Sequence, residues 1–216
     1  ISATSQNHIN AMDMTKEYGD GANPVILKSE FIMSLCEQLI GGSNLGAKQK
    51  SIIDRCTASV YRTYQQNNYQ GEVPTLQDFR AELLKQDEPE AQEIALAIEL
   101  FTSGSLNTFA KHTNVDTNNR LIFYDILDLG KQLMPIGMRV VLDSILNRIT
   151  QNRAKGRNTF IFIDEIYLLF QHEYSANFLF TLWKRVRKYG AYATGITQNV
   201  DDLLQSHTAR TMLANS

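Results

Sequence analysis

The chain has 216 residues, of which 43% are hydrophobic and 20% are charged, and these values are ordinary for a globular domain. The formal net charge is −2, which excludes a global electrostatic attraction to nucleic acid or to an anionic membrane. The two cysteines, Cys36 and Cys56, lie among apolar neighbours in helical patterns. We expect buried reduced thiols rather than a disulfide or a metal site.

The first part of the chain is punctuated by loop residues and then becomes helical. Residues 1–27 contain Gly19, Gly21 and Pro24, after which apolar residues recur at helical spacing as far as Phe109. Thr75, followed three residues later by an aspartate, forms the pattern of a capping box at a helix start. No strand pattern interrupts this stretch. The sequence therefore predicts an all-helical lobe of about four helices over 28–115.

The pattern changes after Asn119, where short apolar runs begin to alternate with helical periodicity. The predicted elements are, in chain order, a buried strand over 121–126, a helix over 134–149, a fully buried strand over 160–163, a helix over 176–188 and a strand over 191–197. Alternating strands and helices are typical of a doubly wound parallel α/β sheet. Residues 1–27 and 116–216 are accordingly predicted to form one core, into which the helical lobe is inserted.

Two carboxylates follow the second predicted strand, in the run Phe160-Ile-Phe-Ile-Asp164-Glu165. A buried strand that ends in two acids has the form of a Walker B strand, and open sheets bind ligands at the carboxyl ends of their strands. Asp164 is then a candidate to hold Mg²⁺, through water, and Glu165 a candidate to polarise an attacking water. The alternative is a pair of solvated acids at a strand end.

Gln198 ends the next predicted strand. A crossover through one helix makes two strands parallel and favours their being neighbours, so Gln198 is expected to meet Glu165 at the same edge of the sheet. There it can hydrogen-bond a γ-phosphate or the attacking water. The alternative is an ordinary polar turn before Asn199.

Arg187 closes the helix that connects these two strands. The helix runs antiparallel to the strands, so Arg187 lies at the edge opposite its own nucleotide crevice, roughly 17–20 Å away. It is therefore a candidate arginine finger for a neighbouring subunit, which implies a ring. The alternative is a cation that complements the dipole of the helix end.

A phosphate-binding loop of the form Gly-x-x-x-x-Gly-Lys-Ser/Thr does not occur in the 216 residues. The one Gly-Lys pair, Gly130-Lys131, is followed by Gln132, and Asp125 stands where the first glycine would be. The motif is expected before Ile1, since neither end of the sequence reads as a natural terminus.

Several segments together resemble the ATPases of conjugative transfer and type IV secretion, a branch of the HerA–FtsK-like hexameric motors. The segments that carry this resemblance are Ile9-Asn-Ala-Met-Asp13, Asn119-Arg-Leu-Ile-Phe-Tyr-Asp-Ile126, Phe160-Ile-Phe-Ile-Asp-Glu165, Trp183-Lys-Arg-Val-Arg-Lys-Tyr-Gly190, Gly195-Ile-Thr-Gln-Asn199 and Ala209-Arg-Thr-Met-Leu-Ala-Asn215. Their order and spacing fit the family over nearly the whole chain.

The resemblance implies an incomplete RecA-like P-loop NTPase core with an inserted helical lobe. It implies ATP and Mg²⁺ as cofactors, Asp164 and Glu165 at the Walker B positions, Gln198 as the sensing glutamine and Arg187 as the trans arginine. Arg210 matches a further arginine of the family and is a candidate nucleotide ligand.

The implied partners are identical subunits in a hexameric ring, other subunits of the secretion channel, and a DNA or protein cargo. The implied location is the cytoplasm, at the inner face of the cell membrane. The competing hypothesis is a non-catalytic α/β scaffold whose helical lobe binds partner subunits in the same machinery.

Overall fold

A computed structural model describes residues 2, 4–19, 21–40, 45–171 and 173–214, without the side chains of 173, 174, 185 and 187. The chain consists of two compact units, Ile1–Ser144 and Ile145–Ser216. The predicted grouping of 1–27 with 116–216 around one nucleotide-binding core stays a prediction.

The first unit is helical, as the spacing of its apolar residues predicts. Its helices are α1 (Pro24–Ile40), α2 (Ala47–Gln66), α3 (Leu76–Leu84), α4 (Pro89–Ala97), α5 (Glu99–Thr102) and the first part of α6 (Gly130–Ala154). The predicted capping box is confirmed, because the Thr75 hydroxyl accepts a hydrogen bond from the Asp78 amide and the Asp78 carboxylate accepts one from the Thr75 amide.

The core of this unit joins the helices to the N-terminal segment. Ile32, Ile53, Phe79 and Ile94, from four different helices, are fully buried in one apolar cluster. The tyrosine hydroxyl of Tyr61 on α2 donates to the carbonyl of Met12, which fixes the N-terminal segment against the bundle. Cys36 and Cys56 are free thiols buried in the same cluster, and burial raises their pKa to about 12 and about 11.

The strand predicted over 121–126 is not formed, and this prediction was wrong. Ile122 and Tyr124 are half-buried whereas Leu121 and Phe123 are both 88% exposed, so the segment has the alternating faces of a strand. A strand also needs a neighbour for its backbone groups. Among the described residues this segment has none, and a short 3₁₀ turn at Leu127–Leu129 follows it directly.

The second unit contains a two-stranded parallel sheet. Its elements are the end of α6, β1 (Thr159–Ile163), α7 (Glu173–Arg185), β2 (Ala191–Gly195), α8 (Val200–Leu204) and α9 (His207–Leu213). The predicted adjacency of the two strands is confirmed, with Thr159 opposite Ala191 and Ile163 opposite Gly195. Gly190, at a φ of 62°, supplies the left-handed residue that turns the chain into β2.

The described residues cover one face of this sheet and leave the other open. Ile161 and Ala191 pack against Ile149 of α6 and Leu182 of α7. On the opposite face Phe160 and Phe162 are 64% and 69% exposed. The prediction of a fully buried β1 is therefore wrong for this chain: its unbroken apolar run fits burial on both faces, but the described residues cover only one.

Candidate active site

The ends of β1 and β2 are joined by two backbone hydrogen bonds that leave Asp164 and Glu165 outside the ladder. The amide of Ile196 donates to the carbonyl of Ile163 at 2.8 Å, and the carbonyl of Ile196 accepts from the amide of Ile166 at 3.0 Å. Ile196, which directly follows β2, thus pairs with the residues on both sides of the acidic pair. Asp164 and Glu165 consequently form a short protrusion at the carboxyl edge of the sheet, where parallel sheets bind ligands.

Glu165 adopts a backbone conformation that is unusual for a residue with a side chain. Its φ is +47°, in the left-handed region. This conformation typically costs about 1–2 kcal/mol in a residue other than glycine. The Glu165 amide donates to the Asp164 carboxylate at 3.0 Å, and the Glu165 carbonyl accepts from the Leu168 amide at 2.9 Å. Surrounding bonds therefore hold the glutamate in a strained but defined position.

Gln198 meets Glu165, as the predicted strand pairing requires. Its side-chain amide Nε2 donates to Glu165 Oε1 at 2.6 Å. The Thr197 hydroxyl donates to the Asn199 carbonyl at 3.1 Å, and this bond fixes the backbone on both sides of Gln198. The other carboxylate oxygen, Glu165 Oε2, is buried and has no hydrogen-bond partner among the described residues. A buried carboxylate oxygen without a partner is able to accept a proton or a water hydrogen.

Asp164 is exposed at the tip of this protrusion, and one of its oxygens accepts the Glu165 amide. In the described part of the chain, no group of three or more histidine, cysteine, aspartate or glutamate side chains is arranged to hold a metal ion. Mg²⁺ usually takes only one or two protein carboxylates and keeps several waters or phosphate oxygens. A single exposed aspartate beside the sheet edge fits that mode of binding.

The backbone of Arg187 and the whole of Arg210 lie on elements other than those that carry the acidic pair. The backbone of Arg187 belongs to the 3₁₀ turn Val186–Tyr189, directly before β2 and thus at the amino edge of the sheet; its side chain lies outside the described part of the chain. Arg210 is exposed on α9, and no described contact joins it to Asp164, Glu165 or Gln198. The structure therefore brings Asp164, Glu165 and Gln198 together, places the backbone of Arg187 at the opposite edge of the sheet, and shows no described contact between Arg210 and this group.

Comparison with known proteins identifies the family. Residues 45–216 match the family model described as the TraG P-loop domain. The chain belongs to the TraG P-loop domain family. This result confirms the family that the motifs resemble.

A solved structure supports the same fold. The structure of VirB4 of Thermoanaerobacter pseudethanolicus is similar to all of this chain, with a TM-score of 0.77 and 21% sequence identity. This confirms the predicted α/β fold of a P-loop NTPase. The chain spans 61% of that VirB4 chain. No curated protein sequence matches, and no helix among the described residues has the length and apolar character needed to cross a bilayer.

Three residues that shape the site of this TraG P-loop domain were not singled out individually from the sequence: Ile166, Gly195 and Ile196. Ile196 makes both bonds that bracket the acidic pair, and Ile166 is 2% exposed beneath it. Gly195 lies directly against Ile166. The available signal was a glycine inside the predicted strand 191–197, because a glycine within a strand often marks a close approach of two backbone segments.

Proposed function

We propose that this TraG P-loop domain is part of an ATP-hydrolysing motor that powers conjugative DNA transfer or type IV secretion. The observation that carries the proposal is the 2.6 Å hydrogen bond between Gln198 and Glu165 at the carboxyl edge of a parallel strand pair. In a P-loop domain, this edge is where a nucleotide phosphate and its metal ion are expected.

Each residue of the acidic group has a distinct proposed role. Asp164, exposed at the tip, holds Mg²⁺ through water. Glu165, whose Oε2 is buried without a partner in the described part of the chain, accepts the proton of the attacking water. Gln198 orients Glu165 and senses the γ-phosphate. When bound, Mg²⁺ and ATP supply the electrophilic phosphorus and the charge neutralisation.

The proposed assembly is a hexameric ring in which Arg187 acts on the nucleotide of the neighbouring subunit. Its backbone lies before β2, and a strand of five residues separates it from the acidic edge by about 17 Å. Arginine suits this role because its planar guanidinium binds phosphate oxygens in a bidentate manner. We further propose a peripheral location at the inner face of the cell membrane, contact with other channel subunits, and a DNA or protein cargo. Arg210 remains a candidate nucleotide ligand from the neighbouring element α9.

The decisive experiment is Glu165→Gln in the protein that also carries the phosphate-binding loop. A neutral amide cannot take the proton from water, so kcat should fall roughly 10²–10⁴-fold while ATP binding is retained. Glu93→Gln, the same chemical change at an exposed position on α4, is the matched control and should hydrolyse ATP at the parental rate. Parental hydrolysis by Glu165→Gln would instead favour the non-catalytic scaffold.

A second experiment measures ATP binding by the 216 residues alone. The 216 residues contain no Gly-x-x-x-x-Gly-Lys-Ser/Thr segment, so they lack the backbone amides and the lysine that hold the β- and γ-phosphates. Calorimetry on this chain alone should therefore detect only weak ATP binding and no hydrolysis. Micromolar affinity would show that the phosphates are bound by other residues.

The ring is tested by mixing inactive subunits. Full-length Arg187→Ala and Glu165→Gln should each be inactive alone, whereas a mixed ring contains interfaces at which an intact Glu165 faces an intact Arg187. Partial recovery of hydrolysis is expected, because an arginine finger contributes roughly 10³–10⁵-fold to phosphoryl transfer. Mixed rings that form but remain inactive would argue for Arg187 as a helix-end cation only.

A further inference from the structure

We propose that Gly195 is a positioning residue. Because it has no side chain, Ile166 can pack directly against it, and this packing keeps Glu165 and Gln198 within hydrogen-bond distance of each other. A Cβ atom at position 195 would lie 2.6 Å from Cδ1 and 3.3 Å from Cγ2 of Ile166. Contacts below 3.0 Å are essentially never seen for a real Cβ, so either the Ile166 side chain or the backbone that carries these residues would have to shift.

The conformation of Gly195 does not itself demand glycine. Gly195 is the last residue of β2, and its φ lies outside the left-handed region. Alanine could therefore adopt this backbone without strain, and glycine is required here for space.

Ile166 has little freedom to move away from an added methyl group. It is 2% exposed and packs in a core cluster with Leu179, Leu203, Ala209 and Met212. Its amide also donates to the carbonyl of Ile196. Because protein interiors are close-packed, the displacement would pass to the flanking backbone rather than be absorbed by a gap.

Both members of the polar pair lie on that flanking backbone. Glu165 directly precedes Ile166 and is already held at a φ of +47°, and Gln198 lies three residues after Gly195. Pushing β2 and Ile166 apart would therefore separate Gln198 Nε2 from Glu165 Oε1, which now lie at 2.6 Å. A hydrogen bond weakens steeply beyond about 3.2 Å, so a displacement of less than 1 Å would break it.

The test compares four variants of the 216-residue chain by ¹⁵N NMR of the Gln198 side-chain amide, whose signal is assigned by its loss in Gln198→Leu. In Gly195→Ala, the hydrogen-bonded amide proton should move upfield, toward the position of a solvent-exposed glutamine. In Gly195→Ala/Ile166→Val, which removes the nearest atom Cδ1, the signal should return toward its parental position. Ile166→Val alone should leave it nearly unchanged.

Gly46→Ala is the matched control. Gly46 has a φ of −66°, and a Cβ there would meet no atom closer than 3.8 Å. This variant should leave the Gln198 signal in place. A parental Gln198 signal in Gly195→Ala, or a failure of Ile166→Val to restore it, would overturn the proposal. If Gly195→Ala does not fold, the Gly195→Ala/Ile166→Val variant becomes the decisive measurement, because it relieves the contact between position 195 and Ile166.

The consequence for catalysis rests on the function proposed above. In the protein with its phosphate-binding loop, Gly195→Ala should lower kcat roughly 10²-fold with little change in KM, and adding Ile166→Val should restore most of it. The NMR result does not depend on hydrolysis. Loss and recovery of the Gln198 signal together with full activity of Glu165→Gln would uphold the positioning role and refute the catalytic one.

Discussion

The buried lysine of the first unit offers the sharpest test of its packing. Lys28 on α1 is fully buried, and its Nζ lies 2.5 Å from Asp143 Oδ2 and 3.2 Å from the carbonyl oxygen of Ala11. The same Nζ lies 4.8 Å and 4.7 Å from the ring centroids of Tyr18 and Phe31. The Tyr18 hydroxyl donates to the second oxygen of Asp143. The two charges thus neutralise each other in an apolar surrounding.

Replacing Lys28 with methionine keeps most of the aliphatic volume but removes the positive charge. The Asp143 carboxylate then remains buried, with the Tyr18 hydroxyl as its only hydrogen-bond donor that the structure shows. Breaking one side of a buried pair typically costs about 3–5 kcal/mol, because the remaining charge is uncompensated. We therefore expect Lys28→Met to lower the free energy of unfolding of the first unit by about that amount.

Urea unfolding followed by circular dichroism measures this change, since most helices belong to the first unit. Trp183, the one tryptophan of the sequence, lies on α7 and reports separately on the second unit by fluorescence. Lys48→Met, at an exposed ion pair with Glu90, is the matched control and should change the transition little.

A second comparison distinguishes charge burial from packing. The triple variant Lys28→Met/Asp143→Leu/Tyr18→Phe removes both charges and the tyrosine hydroxyl that bonds Asp143, and it should recover most of the lost stability. If Lys28→Met were no more destabilising than Lys48→Met, or if the triple variant were the least stable of all, the reasoning from an uncompensated buried charge would be refuted.

Two further predictions concern the first unit. Burial raises the pKa of Asp13 above its ordinary value, against the opposing effect of its hydrogen bond from Thr113, so the folded state favours the protonated acid. Stability from this group is present at low pH and is lost as the pH rises from about 4 through the folded pKa. Asp13→Asn should flatten that decline in urea titrations at several pH values, and an unchanged slope would contradict it. Thr75→Ala should cost about 1 kcal/mol in urea unfolding through loss of the N-cap hydrogen bond. Thr75→Ser, which keeps the hydroxyl, is the matched control and should retain most of that stability, and equal losses in the two variants would contradict the capping role.

The pairing of β1 with β2 was predictable because the rule behind it is topological. An apolar run, a helix and a second strand pattern specify a parallel neighbour irrespective of side-chain detail. The meeting of Glu165 with Gln198 followed from that rule alone, since parallel strands end at one edge. The strand predicted over 121–126 was wrong for a related reason. Its residues alternate as those of a strand do, but a strand also requires a neighbouring strand. Sequence periodicity indicates the environment of the side chains and not the pairing of the backbone.

The fine geometry of the acidic pair was not accessible to pattern reasoning, because it depends on contacts between segments about 30 residues apart. Nothing in the dipeptide Asp164-Glu165 indicates a left-handed glutamate. That conformation persists because Ile196 binds the backbone on both sides of the pair and because Gly195 leaves room for Ile166. A strained residue is maintained only where its surroundings over-determine it. Here the surroundings are apolar contacts, main-chain bonds and the Asp164 carboxylate, so the backbone of Glu165 is fixed without either of its own carboxylate oxygens. One of those oxygens, Oε1, can therefore accept from Gln198 while the other stays available to a water.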